Sequence, residues 1–173
     1  MSRVVRGLKW ARVAQRPQGL PIGRPRGAKL EGVRYERRVA KALALAGLKF
    51  SHGKWWEFED WAGRGVCQTD FVGKVGDSAV VLEVKYSWTQ EAWWQLDQLY
   101  IPVLRMALAC PVVGVQVCKM LISCAEGVVT RDLCEAIALA QSGVSPVTMH
   151  WAELGPLRAP SVPEGRNGHQ FGT

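Results

Sequence analysis

Residues 65–88 contain two runs that are rich in valine and aromatic residues and are separated by the dipeptide Gly76-Asp77. Such runs are typical of β-strands, and Gly-Asp favours the tight turn that joins two antiparallel strands. The pattern therefore predicts a β-hairpin whose second strand includes VVLEVKYSW, residues 80–88. A glutamate and a lysine, Glu83 and Lys85, interrupt this otherwise apolar strand.

The side chains of Glu83 and Lys85 should lie on one face of the strand, because side chains alternate along it. Counting back from the turn places Asp70, on the first strand, close to Glu83. Two facing carboxylates repel each other unless a cation lies between them, and oxygen ligands suit Mg²⁺ or Mn²⁺. The pattern thus indicates a divalent metal site, with a structural ion pair between Glu83 and Lys85 as the alternative.

The remaining chain predicts helices packed against a mixed sheet, an α/β (α+β mixed sheet) fold with the order α-β-β-β-α-β-α-β. Glu36 falls in the first two turns of the first helix. Thr89 is expected to cap the second helix, and Pro102 to bend or interrupt it. Outside the hairpin, the predicted segments are a helix at 31–48, an edge or hairpin strand within 48–63, a helix at 89–110, a central strand at 111–123, a helix at 130–141 and a strand at 146–154.

Thr69 and Asp70 precede the sequence EVK at 83–85, and both follow a helix that carries Glu36. In this order the residues resemble the PD-(D/E)xK nuclease superfamily, whose restriction-endonuclease-like core has the order α-β-β-β-α-β. The resemblance covers roughly residues 31–120. One departure is Thr69, which stands where the proline of the superfamily's name is common.

The resemblance implies that Asp70 and Glu83 bind the first metal together with the backbone carbonyl of Val84. Lys85 would position or deprotonate the attacking water and stabilise charge near the scissile phosphate. Glu36 would complete the site, with ion pairing on a solvated helix face as its alternative role. Phosphodiester hydrolysis needs an activated water and neutralised phosphate oxygens, and Mg²⁺ or Mn²⁺ supplies both.

Two glutamines are candidate substrate-binding residues. Gln68 should share the face of Asp70, where it contacts substrate or forms only a hydrogen bond. Gln95 begins QLDQLY, residues 95–100, which is similar to the glutamine and tyrosine motif of helicase-associated exonucleases; packing is the alternative. The three histidines, His52, His150 and His169, are not expected to cluster with one another or with the acidic residues, so no histidine metal site is expected.

Positive charge is concentrated at the N-terminus. The net charge is +7, and eight basic residues precede the first acid, Glu31. An acid-free basic segment is typical of contact with polyphosphate, so we expect residues 1–29 to form a flexible arm that binds DNA, with a solubilising tail or a transit peptide as alternatives. The predicted contacts are Arg3, Arg6, Lys9, Arg12, Arg16, Arg24, Arg26 and Lys29.

The arm is expected to precede one domain at 30–154 and a loose tail at 155–173, which is rich in proline and glycine. No apolar run is long enough to cross a membrane, and the N-terminus lacks the apolar stretch of a secretory signal. Five cysteines without a C-x-x-C pair are typical of free thiols in a reducing compartment. These features predict a cytoplasmic protein of a prokaryote or a phage-infected cell.

The function expected from these residues is hydrolysis of DNA by a metal-dependent deoxyribonuclease, an endonuclease rather than an exonuclease. The small size favours recognition of branched DNA or ends, in recombination, repair or phage DNA processing. A junction resolvase of this kind would be a homodimer, so that two sites cut symmetrically. The alternatives are a non-catalytic nucleic-acid-binding protein that uses the basic arm, and an inactive nuclease-fold subunit of a larger complex.

Overall fold

A computed structural model describes residues 3–20, 26–121 and 128–152. It contains a seven-stranded mixed sheet in the order β1-β2-β3-β4-β5-β7-β6, with helices on both faces, which confirms the predicted mixed α/β class. The strands are β1 (Trp10–Ala14), β2 (Phe50–Asp60), β3 (Gly63–Val75), β4 (Ser78–Ser87), β5 (Val112–Met120), β6 (Val129–Thr130) and β7 (Val147–His150). The helices are α1 (Ala28–Leu45), α2 (Gln90–Gln95), a π turn (Leu96–Tyr100), α3 (Ile101–Leu108) and α4 (Leu133–Gln141).

The predicted hairpin has the predicted register. β3 and β4 are antiparallel, with Val75 opposite Ser78 and Phe71 opposite Leu82. β5 then runs parallel to β4 on one side and to β7 on the other, and seven consecutive residues from Val112 are buried. The continuous apolar run at 111–123 is thus explained by a strand that is covered on both faces.

Two hydrophobic cores lie on opposite faces of the sheet. Helices α1 and α4 cover one face, and the segment from α2 to α3 covers the other. We call these the α1 core and the α3 core. The α1 core includes Tyr35, Val39, Leu82, Val115 and Leu133, and the α3 core includes Trp56, Val81, Leu96, Tyr100 and Leu104.

The segment from α2 to α3 follows the prediction with one addition. The Thr89 side chain accepts a hydrogen bond from the Ala92 N–H and caps α2. Pro102 has no N–H, so it cannot bond the carbonyl of Gln98 four residues earlier, and the π turn ends two residues before it. The freed Gln98 carbonyl accepts the N–H of Val5 at 3.0 Å, which ties the N-terminal segment to this helix.

The prediction of a flexible arm over residues 1–29 is wrong for part of that segment. Trp10–Ala14 forms β1, which pairs antiparallel with β2 and occupies the sheet edge predicted for β2 itself. Five consecutive residues pair with β2 and Ala11 packs against the α3 core, while the exposed ion pairs of Lys9 with Glu59 and Arg12 with Glu57 add little.

The tail predicted at 155–173 lies outside the described residues, and the limits 30–154 remain a prediction. Other differences are small: α1 begins and ends three residues earlier than predicted, and α4 begins after its Asp132 cap. None of the helices in the described ranges has the length and apolar character needed to cross a lipid bilayer.

Candidate active site

The candidate site lies where β3 and β4 separate. Their paired residues end at Phe71 and Leu82, after which β3 continues against β2 alone and β4 against β5. Asp70 and Glu83 are the next residues on the two strands, as the hairpin register predicted. The Val84 N–H, left without a strand partner on this side, donates a hydrogen bond of 2.8 Å to Asp70 Oδ2.

The side chains of β2 and β3 change from one face of the sheet to the other at this point. Cys67 and Val72 both belong to the α3 core, whereas Phe71 belongs to the α1 core, so β3 does not alternate regularly between them. On β2, Gly53 lies opposite Asp70 but is not paired with it in the β2–β3 ladder. Its φ of 65° is in the left-handed region that favours glycine. The switch places Asp70 between the two faces of the sheet.

Glu83 is the most deeply buried charged group of the site, with a side chain 2% exposed. Its Oε1 accepts a hydrogen bond from Lys85 Nζ at 2.5 Å, which confirms that the two side chains share a face. Its Oε2 is buried without a hydrogen-bond partner among the described residues. A buried acceptor of this kind is costly unless a donor or a cation satisfies it.

The site holds more negative charge than a buried environment favours. Burial raises the pKa of Asp70, and repulsion from Glu36 adds to the shift. Burial likewise raises the pKa of Glu83, with repulsion from Asp70 as the second cause. Burial alone would lower the pKa of Lys85, but attraction to Glu83 and the other carboxylates outweighs it, so this pKa is raised. Lys85 is therefore held as a cation.

Glu36, on α1, lies near Asp70 and Glu83, and its carboxylate also contacts a histidine. Glu36 Oε1 lies 2.5 Å from His52 Nε2, and the His52 ring stacks on Phe71 at 4.8 Å between centroids. The expectation that no histidine joins the acidic residues is therefore wrong for His52. Counting the register back across the turn between β2 and β3 would have placed it opposite Phe71.

A buried polar row continues from Glu83 across the sheet. Gln116 on β5 is in register with Glu83, and Thr148 on β7 is in register with Gln116. The Gln116 amide donates to the Thr89 carbonyl at 3.2 Å, so its Oε1 remains buried without a partner in the described part of the chain. Gln116 was not among the predicted site residues, although a single glutamine inside an apolar strand indicates a buried polar role.

The two candidate glutamines lie on either side of one tyrosine. Gln95 Nε2 donates to the Tyr100 hydroxyl at 2.6 Å, and that hydroxyl donates to the backbone carbonyl of Gln68 at 2.8 Å. Gln95 and Tyr100 are five residues apart, and the π turn between them brings their side chains together. Burial raises the pKa of Tyr100, and repulsion from Glu83 and Asp70 follows, so the hydroxyl remains protonated and able to donate.

The predicted DNA-contacting cations have different environments. Arg3 pairs with the buried Asp60 at the turn between β2 and β3, about 23 Å along β3 from Asp70. Arg3 therefore has a structural role, and Lys9 and Arg12 are paired with acids as described above. The side chains of Arg6, Arg16, Arg26 and Lys29 form no ion pair with an acid in the described ranges, and Arg24 lies outside them.

The donor set has the chemistry of a hard-cation site. Asp70, Glu83 and Glu36 offer carboxylate oxygens, and the unpartnered Glu83 Oε2 is an available ligand atom. Within the described ranges, no three His, Cys, Asp or Glu side chains already converge as a ligand cage. Their present partners explain this, because Glu83 is turned onto Lys85 and Glu36 onto His52.

No protein-family model matches the chain, and no curated protein is matched. Among solved structures, the chain is similar to a repair endonuclease from Pyrococcus abyssi, with 17% sequence identity and a TM-score of 0.40. The similarity covers 77% of this chain and 50% of that one, so this chain spans half the length of the endonuclease it matches.

Proposed function

We propose that this chain is a divalent-metal-dependent nuclease that hydrolyses phosphodiester bonds in DNA, with the site arrangement of the PD-(D/E)xK superfamily. One observation carries the proposal: the buried Glu83 carboxylate and the half-buried Asp70 carboxylate lie together at the fork of β3 and β4, with Lys85 beside them. Such a pair is unfavourable without a cation, and Glu83 Oε2 has no hydrogen-bond partner in the described part of the protein.

Asp70, Glu83 and the backbone carbonyl of Val84 would hold Mg²⁺ or Mn²⁺, with Glu36 completing the ligand set. When bound, the cation lowers the pKa of a water and neutralises charge on the phosphate. Glu36 has to leave His52 to join the site, and both side chains are exposed enough to rotate. His52 would then be free to donate to a phosphate oxygen.

Lys85 contributes a fixed positive charge at the scissile phosphate. Its side chain is 37% exposed, so Nζ reaches from the buried Glu83 carboxylate to the surface where a phosphate would bind. Because its pKa is raised in the protein, Lys85 is suited to positioning the attacking water and stabilising charge on the phosphate. Deprotonation of that water by Lys85 would first require its attraction to the carboxylates to weaken.

The substrate we propose is branched DNA or DNA ends, cut by an endonuclease that acts in recombination, repair or phage DNA processing. Branched DNA and DNA ends are recognised by shape, so the described domain would not need to read a long base sequence to select them. A homodimer would place two such sites for symmetric cleavage of a junction.

The test is incubation of a four-way junction, a linear duplex and a single strand with Mg²⁺, with Mn²⁺ or with EDTA. Wild-type protein should cut in the presence of metal only. Glu83→Gln should bind the same DNA without cutting it, while Glu57→Gln, a matched change at an ion pair on β2, should cut normally. Binding without cleavage under every metal would overturn the proposal and favour a non-catalytic nucleic-acid-binding protein.

A further inference from the structure

A cleft of about 340 Å³ lies over β2 and β3, beside the candidate active site. Its lining includes Trp55 on β2, Gln68 on β3, and Arg16 and Leu20 from the segment after β1. Trp55 and Gln68 are opposite each other in the β2–β3 register, so both side chains rise from the same row of the sheet.

The cleft lies close to the proposed cleavage site. Trp55 and Gln68 are each two residues from the opposed pair of Gly53 and Asp70, a separation of about 7 Å along the strands. The Gln68 amide donates to the Gly53 carbonyl at 3.2 Å, which links the cleft directly to the position where β2 and β3 change faces. A nucleotide in the cleft would therefore be close to a phosphate bound at Asp70.

The side chains of the cleft differ from those along the rest of this face. Next to it, Arg12 and Lys9 are neutralised by Glu57 and Glu59, and the Trp10 ring lies under the Arg12 guanidinium. Arg16 instead donates to the carbonyl of Leu20 at 3.2 Å, so its guanidinium keeps its charge and its remaining donors.

The arrangement fits an unpaired nucleotide better than a paired one. Trp55 is half-buried and has no ring partner among the described aromatic pairs, and an indole face of this kind stacks on a base of any identity. Arg16 supplies a cation for the phosphate of the same nucleotide. A base inside a duplex is already stacked on both sides and cannot enter a cleft formed by side chains.

We infer that this cleft binds an unpaired nucleotide of the DNA substrate, with its base stacked on Trp55 and its phosphate at Arg16. The inference rests on the proposed function and specifies its substrate class: DNA that carries unpaired bases next to the cleaved bond. Gln68 positions the cleft relative to Asp70 through Gly53.

The test measures equilibrium binding in EDTA, so that no cleavage is needed. Two DNA duplexes of equal length are compared, one fully paired and one with an unpaired nucleotide at its centre. Trp55→Ala should weaken binding of the second duplex about tenfold and leave the first unchanged, since a stacked base contributes roughly that factor or more. Trp55→Phe should recover most of the loss, and Trp61→Ala, at a tryptophan 71% exposed in the β2–β3 turn, should have no effect.

A 2-aminopurine at the unpaired position gives a second readout. Its fluorescence should be quenched on binding to wild type and to Trp55→Phe, but not on binding to Trp55→Ala. Arg16→Ala should lower the slope of log affinity against log salt by about 0.7, as expected for one lost contact to single-stranded phosphate. Equal affinities of wild type and Trp55→Ala for the unpaired substrate, or equal losses for both duplexes, would overturn the inference.

These outcomes separate the inference from the proposed function. If Trp55→Ala loses binding to the unpaired base while wild type shows no metal-dependent cleavage, the inference about the cleft is supported and the proposed nuclease function is contradicted. If wild type shows metal-dependent cleavage and Trp55→Ala cuts both substrates equally well, the proposed nuclease function is supported and the inference about the cleft is contradicted.

Discussion

The Asp70 carboxylate accepts a hydrogen bond from the Val84 N–H at the point where their two strands cease to pair. This bond takes the place of the next rung of the hairpin ladder, so the strands separate without leaving that N–H unsatisfied. It also fixes Asp70 beside Glu83 and against the backbone of Val84. The candidate site therefore lies where the hydrogen bonds between β3 and β4 end. Asp70, whose side chain accepts the last of these N–H groups, is itself a proposed metal ligand.

Gly53 is expected to be essential for this geometry. Gly53→Ala places a side chain at a φ of 65° and brings its Cβ to 3.0 Å from Gln68 Nε2. We expect a loss of about 1 kcal/mol in the free energy of unfolding, together with reduced cleavage, because Asp70 faces this position. Chemical denaturation and cleavage rates measure the two effects.

Gly32→Ala is the matched control, because Gly32 lies inside α1 and an added Cβ would have no atom within 4 Å. It should stabilise the protein by about 0.5–1 kcal/mol and leave cleavage unchanged. If Gly53→Ala were as stable as Gly32→Ala, the change of faces of β2 and β3 would not depend on glycine at position 53.

Replacing Glu83 should separate stability from activity. Glu83→Gln removes a buried carboxyl group whose ionised form is repelled by Asp70, and Lys85 is exposed enough to be solvated without its partner. We expect the metal-free variant to be at least as stable as wild type, by up to about 1 kcal/mol, and inactive in cleavage. A large loss of stability on thermal unfolding would instead indicate a structural ion pair.

The metal-free protein should lose stability as the pH rises from about 5 to about 8. The pKa values of Asp70 and Glu83 are both raised in the folded state, so the folded state holds protons that the unfolded state releases above the ordinary values of 3.8 and 4.5. Their contribution is present below those values and is lost as the pH rises through the folded-state values. The expected loss is on the order of 2 kcal/mol.

Denaturation in EDTA at several pH values measures this slope, and Glu83→Gln should flatten it. Saturating Mn²⁺ should also flatten or reverse it, since cation binding favours the ionised carboxylates. Stability that increased over this range in metal-free buffer would contradict the account.

Arg3 and Arg16 should behave differently, although both belong to the basic N-terminal segment. Arg3→Ala leaves the buried Asp60 carboxylate without its partner, so it should destabilise the protein by on the order of 2 kcal/mol and leave the salt dependence of DNA binding unchanged. Arg16→Ala should change the salt dependence and leave stability within about 0.5 kcal/mol of wild type. Thermal unfolding and a salt titration of DNA binding check both. The opposite pattern would assign the DNA contact to Arg3.

Much of the fold was predictable because local signals agreed with the tertiary structure. The Gly76-Asp77 turn sets the register that brings Asp70 to Glu83, and the apolar run at 111–123 gave the strand buried on both faces. β1 was not predicted, because basic charge and glycine content indicate a flexible segment. Its strand depends on pairing with β2, more than forty residues away, which local composition does not reveal.

The same limit applies to the site. Asp70, Glu83 and Lys85 follow from one turn and strand alternation, so counting was sufficient to group them. Gln116 comes from a strand whose alignment depends on a parallel crossover, whereas His52 could have been placed by the same counting across the turn between β2 and β3. The face change at Gly53 is not visible in the sequence, because it requires the backbone conformation of that glycine.

The central claim is that Asp70 and Glu83 are held together for a divalent cation, and a calorimetric titration of the metal-free protein with Mn²⁺ tests it most directly. Wild type should bind Mn²⁺, and both Asp70→Asn and Glu83→Gln should reduce that affinity at least tenfold, whereas Glu57→Gln should bind as wild type does. Equal Mn²⁺ affinity in wild type, Asp70→Asn and Glu83→Gln would contradict the account and leave the two carboxylates as partners of Lys85 and Val84 alone.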